Sequence, residues 1–165
     1  MKAISWEKNN LKIIDQTKLP MRLEYIYLRD LKGLINAIKT LKVRGAPALG
    51  AAAAFGVYLG LRELKTKDFT VFKKEMDKVI KRIASSRPTA RNLFLSLERV
   101  NWLVLSSSDQ EISEIKKMVF KEASLILEEE RLSSRRIGRY GSGLIKDDDR
   151  ILTICNTGIL ATVDY

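Results

Sequence analysis

The segment from Ala46 to Leu61 constrains the fold most strongly, because it is the most apolar stretch of the chain and consists largely of alanine and glycine. It is too short and too rich in these small residues to span a membrane, and charged residues flank it on both sides. Small side chains allow a helix to approach its neighbours closely. The segment therefore predicts a tightly packed helix, which we place from about Pro47 to Leu64.

Strand-forming residues precede this helix in three short runs. The runs are Ile4–Trp6, Leu11–Ile14 and Leu23–Leu28, and turn signals separate them at Asn9-Asn10 and near Pro20. Alternating apolar residues between turn signals are typical of paired antiparallel strands. The first part of the chain is therefore predicted to form a small β-meander.

After Asp30 the apolar residues recur at the spacing of a helix, and Asp30 itself is suited to cap the first one. The same periodicity predicts four further helices. They run from Pro47 to Leu64, from Phe69 to Ile83, from Pro88 to Leu105, and from a cap at Ser108 or Asp109 onward, with a bend, towards Ile145.

The last residues have a different pattern, in which a short apolar run, Ile151–Ile154, precedes a loop from Cys155 to Gly158. A buried strand followed by such a loop is how a parallel α/β sheet begins. Too few residues follow Leu160 for a crossover to a second parallel strand. We therefore expect an α+β chain: residues 1–146 form the β-meander and a helical bundle, and residues 147–165 form the first strand of a truncated Rossmann-like domain.

Composition limits the possible partners. The formal net charge of +10 favours an anionic partner. Basic residues are spread along the whole chain and mixed with acids, and no compact basic arm or RNA-binding aromatic signature occurs, which favours a phosphorylated small molecule over nucleic acid.

The chain has one cysteine and no histidine, so an intrachain disulfide and a Cys/His zinc site are excluded. A free thiol and the absence of a signal-like apolar run at the start predict a cytoplasmic protein.

Two arginine-led segments are candidate phosphate sites. In the first, Arg44-Gly45-Ala46-Pro47, proline suits the first helical position, the helix dipole and amides favour an anion, and Arg44 can add a bidentate contact. Its small residues also fit a purely packing role. In the second, Arg87 precedes Pro88 in the same way. The alternative there is an ordinary capped helix with a solvated arginine.

Cys155 is the candidate reactive group. A cysteine at the carboxyl end of a parallel strand, before a helix start, lies where α/β proteins bind their ligands, and helix amides would make its thiol reactive. The alternative is that Cys155 is a small buried apolar residue, as many free cysteines are.

Together the blocks Arg44–Gly50, Ser86–Leu93 and Leu152–Thr162, preceded by Asp15–Pro20, resemble the signature segments of the methylthioribose-1-phosphate isomerase family. That family belongs to a superfamily with ribose-1,5-bisphosphate isomerases and regulatory subunits of translation initiation factor 2B. The resemblance implies interconversion of methylthioribose 1-phosphate and methylthioribulose 1-phosphate in methionine salvage, by a homodimer without a cofactor or metal. It also implies substrate binding by Arg44, Gly45, Ala46 and Arg87, and an active-site role for Cys155.

The chain departs from the family pattern at Ile154, where histidine is common, and at Thr157, where alanine is common. The family's general-acid aspartate lies well downstream of the cysteine loop, and Asp164 is too close to Cys155 to take its place. The resemblance therefore implies that these residues alone are inactive. Two alternatives stay open: a non-catalytic, regulatory-subunit-like protein of the same superfamily, and a ribose-1,5-bisphosphate isomerase.

Overall fold

The computed structural model describes residues 1–155 and 157–165, and the predicted β-meander is present at its start. Strands β1 (Ile4–Glu7), β2 (Asn10–Ile14) and β3 (Tyr25–Leu28) form one antiparallel sheet in the order β1-β2-β3. Leu11 and Ile13 of the central strand are fully buried, whereas Lys12 between them faces outward beside Tyr25 and Tyr27. This alternation gives the sheet one face for the core.

In the described part of the chain, five helices follow the sheet and supply most of the rest of the core. The aspartate predicted to cap the first helix does so, because Asp30 Oδ1 accepts a hydrogen bond from the Gly33 amide at 2.7 Å. The helices are α1 (Leu31–Lys39), α2 (Ala46–Leu61), α3 (Phe69–Ala84), α4 (Arg91–Leu105) and α5 (Ile112–Ser142).

Helix α2 is the centre of the fold and packs against the other four helices. Every residue from Ala48 to Val57 is buried, so the prediction of a tightly packed helix is confirmed. Phe55 of α2 stacks on Trp6 of β1, with ring centroids 5.1 Å apart and planes 12° from parallel. Phe120 of α5 meets both rings edge-on, and this aromatic cluster joins the sheet to the bundle.

Two predicted helix starts are wrong. Helix α4 begins at Arg91 and not at Pro88, because Arg87–Ala90 forms a turn closed by the Ala90 amide donating to the Arg87 carbonyl at 3.1 Å. Proline fits the second position of such a turn as well as it fits a first helical position. Helix α5 begins after Glu111, since the Gln110 amide bonds to the Ser107 carbonyl and continues the preceding turn.

The predicted strand at Ile151–Ile154 is not formed. Leu152 is 98% exposed and Ile154 is 90% exposed. A strand is stable only when its backbone groups pair with a neighbour, and within the described part of the chain the sheet ends with β1 to β3. The apolar side chains of this run are therefore exposed and do not contribute to the core.

The last residues fold back onto the start of the chain and the start of α2. A single helical turn spans Gly158 to Thr162, where the Ala161 amide donates to the Gly158 carbonyl at 2.9 Å. The Val163 carbonyl then accepts hydrogen bonds from the amides of Ala3 and Ile4, and the Val163 side chain is buried. The predicted division of the chain at residue 146 stays a prediction.

Among the described residues, no helix combines the length and the apolar run needed to cross a membrane.

Candidate phosphate-binding site

All five residues predicted to form the site line one cavity of about 550 Å³. Arg44, Gly45 and Ala46 border it from the start of α2, Arg87 from the turn before α4, and Cys155 from the segment after α5. The structure thus brings together side chains that lie far apart in sequence. The other lining residues are Leu41, Pro47, Leu49, Thr89, Ala90, Arg91, Asn92 and Ala161.

The start of α2 is built around Gly45, which precedes the helix as its N-cap with φ of +95°. Residues with a Cβ rarely adopt this conformation. The expectation of several unpaired amides is only partly met, because Pro47 has no N–H and the Ala48 amide already donates to the Ala161 carbonyl at 3.4 Å. The Ala46 amide has no hydrogen-bond partner within residues 1–155 and 157–165, so it is available to an anion.

Arg44 is half-buried and is held by one side chain. Its Nε donates to Gln16 Oε1 at 3.0 Å, and Gln16 Nε2 donates to the Leu160 carbonyl at 2.7 Å. Sequence reasoning missed this role of Gln16. The signal was the Asp15-Gln16-Thr17 block, which the resemblance singled out without giving it a function.

Arg87 is half-buried in the turn before α4, and the first two residues of that helix, Arg91 and Asn92, line the same cavity. The starts of α2 and α4 therefore border one cavity. Arg91 was missed because the predicted helix began three residues too early, which placed this arginine inside the helix and not at its end.

Cys155 is exposed, and its backbone has a φ of +65°. The interpretation of this residue as a buried apolar side chain is therefore wrong. It does not follow a strand, and the next regular structure is the turn that begins at Gly158. Asn156, which the sequence placed in the same loop, lies outside the described residues.

The cavity is cationic. Three of its lining residues are arginines, Arg44, Arg87 and Arg91, and its lining among the described residues includes no Asp or Glu. A second cavity of about 250 Å³ between α4 and α5 also contains an arginine, Arg99. That guanidinium is already ion-paired with Glu122 and Glu129, which makes it a poor anion site. No group of three or more His, Cys, Asp or Glu in the described ranges is arranged to hold a metal ion.

The fold and the cavity define an α+β protein with a cationic pocket of the size that a small phosphorylated ligand requires. Residues 42–163 match the Initiation factor 2 subunit family, and the chain belongs to that family.

Two relatives and one solved structure illustrate the similarity. The chain is 40% identical over 165 residues to a methylthioribose-1-phosphate isomerase of Desulforamulus reducens, covering 100% of this chain and 48% of the relative. It is 43% identical over 162 residues to a 5-deoxyribose 1-phosphate isomerase of Moorella thermoacetica, covering 98% of this chain and 46% of the relative. The crystal structure of 5-methylthioribose 1-phosphate isomerase from Pyrococcus horikoshii superposes with a TM-score of 0.91 at 35% identity, over 99% of this chain and 46% of that chain.

The chain thus spans about half the length of the relatives it matches. The resemblance stated from the motifs and the α+β fold class are both confirmed by these comparisons.

Proposed function

We propose that the protein containing this chain converts methylthioribose 1-phosphate to methylthioribulose 1-phosphate, and that the described cavity binds the substrate phosphate. The observation that carries the proposal is that Arg44, Arg87 and Cys155 border one cavity, together with the Ala46 amide, which has no hydrogen-bond partner within residues 1–155 and 157–165. Guanidinium groups and helix amides are the donors that proteins use for phosphate.

The chemistry explains why a phosphate clamp is needed. The phosphate blocks the anomeric carbon, so the ring cannot open to a free aldehyde as in simple aldoses. The ring carbon–oxygen bond must break while the phosphate ester stays intact, and a proton must reach the ring oxygen. One hydrogen must move from the second carbon to the first, and the hydroxyl on the second carbon must lose its proton to become the ketone. Arg44 and Arg87 hold the phosphate through these steps, and the Cys155 thiol assists as an acid–base group or by stabilising the transition state.

The apolar part of the cavity suits the other end of such a substrate. Leu41, Leu49 and Ala161 lie in the same lining as the arginines, and they offer contacts to a methylthio or methyl group at the fifth carbon. The two sugar phosphates that give these relatives their names, methylthioribose 1-phosphate and 5-deoxyribose 1-phosphate, share that apolar end. A second phosphate at this position would instead need more cations, which disfavours ribose 1,5-bisphosphate.

The proposal is tested by substrate binding and turnover. The 165-residue chain and a longer chain of the relatives' length are each mixed with methylthioribose 1-phosphate, 5-deoxyribose 1-phosphate and ribose 1,5-bisphosphate, and ketose formation is followed. We expect the longer chain to convert methylthioribose 1-phosphate and 5-deoxyribose 1-phosphate without an added cofactor. In the cell, we expect the protein to act in the cytoplasm as a homodimer. The 165-residue chain is expected to bind substrate without turning it over.

Arg44→Gln and Arg87→Gln should each weaken substrate binding by about tenfold or more, because each removes a charge-assisted contact to phosphate. Arg136→Gln is the matched control, since Arg136 is exposed on α5 and does not line the cavity. A longer chain that neither binds nor converts any of the three sugars would overturn the isomerase proposal.

A second candidate is a non-catalytic role of the kind that the name of the Initiation factor 2 subunit family suggests. Both roles could use a phosphate-binding cavity, but a scaffold has no need of a reactive thiol. Cys155→Ala separates them: loss of turnover with intact substrate binding supports the isomerase, and unchanged turnover removes Cys155 from the mechanism.

A further inference from the structure

We infer that Gln16 is a positioning residue for the phosphate site, which orients Arg44 and fixes the Leu160–Ala161 segment against the start of α2. This inference rests on the proposed function and extends it to a residue outside the cavity lining. Gln16 belongs to the Asp15-Gln16-Thr17 block, to which neither the motif analysis nor the proposed mechanism assigns a role.

The side chain of Gln16 is buried, and both of its polar atoms are hydrogen-bonded. Gln16 is 3% exposed, its Oε1 accepts from Arg44 Nε at 3.0 Å, and its Nε2 donates to the Leu160 carbonyl at 2.7 Å. Buried amides are costly unless they are hydrogen-bonded, and here both ends of the amide have a partner. One glutamine therefore joins two segments that border the cavity.

The bond to Nε restrains Arg44 without using its two terminal nitrogens, which have no hydrogen-bond partner among the described residues. A free arginine side chain samples many rotamers and loses that freedom on binding. Fixing the guanidinium beforehand lowers the entropic cost of gripping a phosphate. Gln16 is thus placed to strengthen binding through Arg44 without touching the ligand.

The bond to Leu160 acts on a second segment that borders the cavity. The next residue, Ala161, lies against Gly45, and its carbonyl accepts from the Ala48 amide at 3.4 Å. Gln16 therefore fixes the position of the Arg44 guanidinium. It also fixes the Leu160–Ala161 segment, whose Ala161 carbonyl accepts from the Ala48 amide at the start of α2.

The backbone around Gln16 is itself held in place. Its amide donates to the Lys42 carbonyl at 3.0 Å, and the neighbouring Asp15 carboxylate accepts from the Thr17 hydroxyl at 2.6 Å and pairs with Lys42 Nζ at 3.4 Å. Lys42 lies two residues before Arg44. The turn that carries Gln16 and the loop between α1 and α2 that carries Arg44 are therefore held together before any ligand arrives.

The test compares the affinity of the chain for inorganic phosphate before and after Gln16→Met, which keeps the length of the side chain but removes both hydrogen bonds. We expect up to about tenfold weaker binding, because the guanidinium of Arg44 must then be ordered when phosphate binds. Gln110→Met is the matched control, because Gln110 is the other glutamine of the chain and is exposed on a loop. Circular dichroism and an unfolding curve establish that both variants fold.

A double-mutant cycle with Arg44→Gln tests whether Gln16 acts through Arg44. If it does, Gln16→Met should weaken phosphate binding strongly in the unaltered chain and little in Arg44→Gln. Equal effects in both backgrounds would overturn the positioning role, as would phosphate binding by Gln16→Met at the original affinity.

Gln16→Glu provides a rescue that depends on pH. A protonated carboxyl has one donor and one acceptor, like the amide, whereas an ionised carboxylate cannot donate to the Leu160 carbonyl and offsets the charge of Arg44. The affinity for phosphate relative to the unaltered chain should therefore recover as the pH falls through the pKa of the introduced carboxyl. A ratio that does not change with pH contradicts the inference.

The outcomes separate this inference from the proposed function. Phosphate binding that depends on Gln16, in a longer chain that does not convert methylthioribose 1-phosphate, would overturn the isomerase assignment and leave the positioning role standing. If Gln16→Met changes neither the KM nor the kcat of methylthioribose 1-phosphate turnover, the positioning role is overturned and the isomerase assignment stands.

Discussion

Gly45 and Ala161 are in direct backbone contact at the edge of the phosphate-binding cavity. A Cβ added to Gly45 would lie 2.6 Å from the carbonyl carbon of Ala161, and closer still to its Cα and oxygen. Gly45 also has a φ of +95°, so both its conformation and its surroundings require glycine. The contact joins the start of α2 to the segment that follows Cys155.

Gly45→Ala should therefore destabilise the chain by about 2 kcal/mol or more, because strain at positive φ adds to a clash with backbone that cannot move freely. Urea unfolding followed by circular dichroism measures the change. Gly141→Ala is the matched control: Gly141 lies within α5 with no neighbouring atom within 4 Å of the added carbon, and alanine there should stabilise by about 0.5–1 kcal/mol. Equal stability of the two variants would contradict the proposed tightness of the Gly45 contact.

The aromatic cluster that joins the sheet to the bundle should dominate the stability of the core. Phe55 is fully buried and stacks on Trp6, so Phe55→Ala is expected to cost about 3–5 kcal/mol through the cavity it leaves. Trp102→Ala serves as the comparison, since Trp102 is 72% exposed, and should change the free energy of unfolding by less than about 0.5 kcal/mol. A small loss in Phe55→Ala would mean that the core relaxes around the missing ring.

Asp15 should make the stability of the chain depend on pH on the acid side. Burial by itself would raise the pKa of Asp15, but hydrogen bonds from the Thr17 hydroxyl and amide, together with Lys42, lower the pKa below its ordinary value of 3.8. The ionised carboxylate therefore stabilises the folded chain fully at pH values above the ordinary pKa, which is that of the unfolded chain. This contribution is lost as the pH falls through the lower pKa of the folded chain.

Asp15→Asn should accordingly reduce the free energy of unfolding at neutral pH and make it less sensitive to acid. Urea unfolding at a series of pH values measures both effects. Asp109→Asn, at an exposed position, should leave the profile unchanged. A steeper loss of stability in acid for Asp15→Asn than for the unaltered chain would contradict the sign of the pKa shift.

The Cys155 thiol should react in the native chain, because it is exposed and is the single cysteine of the sequence. A chromogenic disulfide reagent should titrate one thiol per chain without denaturant. Since Cys155 borders the cavity, inorganic phosphate should slow the reaction, whereas chloride at the same ionic strength should not. A thiol that reacts only after unfolding, or one that phosphate does not protect, would place Cys155 away from the bound anion.

Much of the fold was predictable because its signals are local. Alternating apolar residues with turns at Asn9-Asn10 and Pro20 predicted the meander, and helical periodicity with the Asp30 cap predicted α1. The wrong start of α4 has a local cause as well: Pro88 suits both a turn and a first helical position, and the sequence contains no feature that separates the two.

The sequence by itself determined the elements and the segments that carry the candidate site, since periodicity, capping and turn chemistry depend on near neighbours in the chain. Only the tertiary structure decided that Arg44 is held by Gln16, that the Ala48 amide is already used by Ala161, and that Ile151–Ile154 is exposed and unpaired. These outcomes depend on which distant segment fills each hydrogen bond and covers each apolar surface. No local pattern contains that information, because it exists only once the chain has packed.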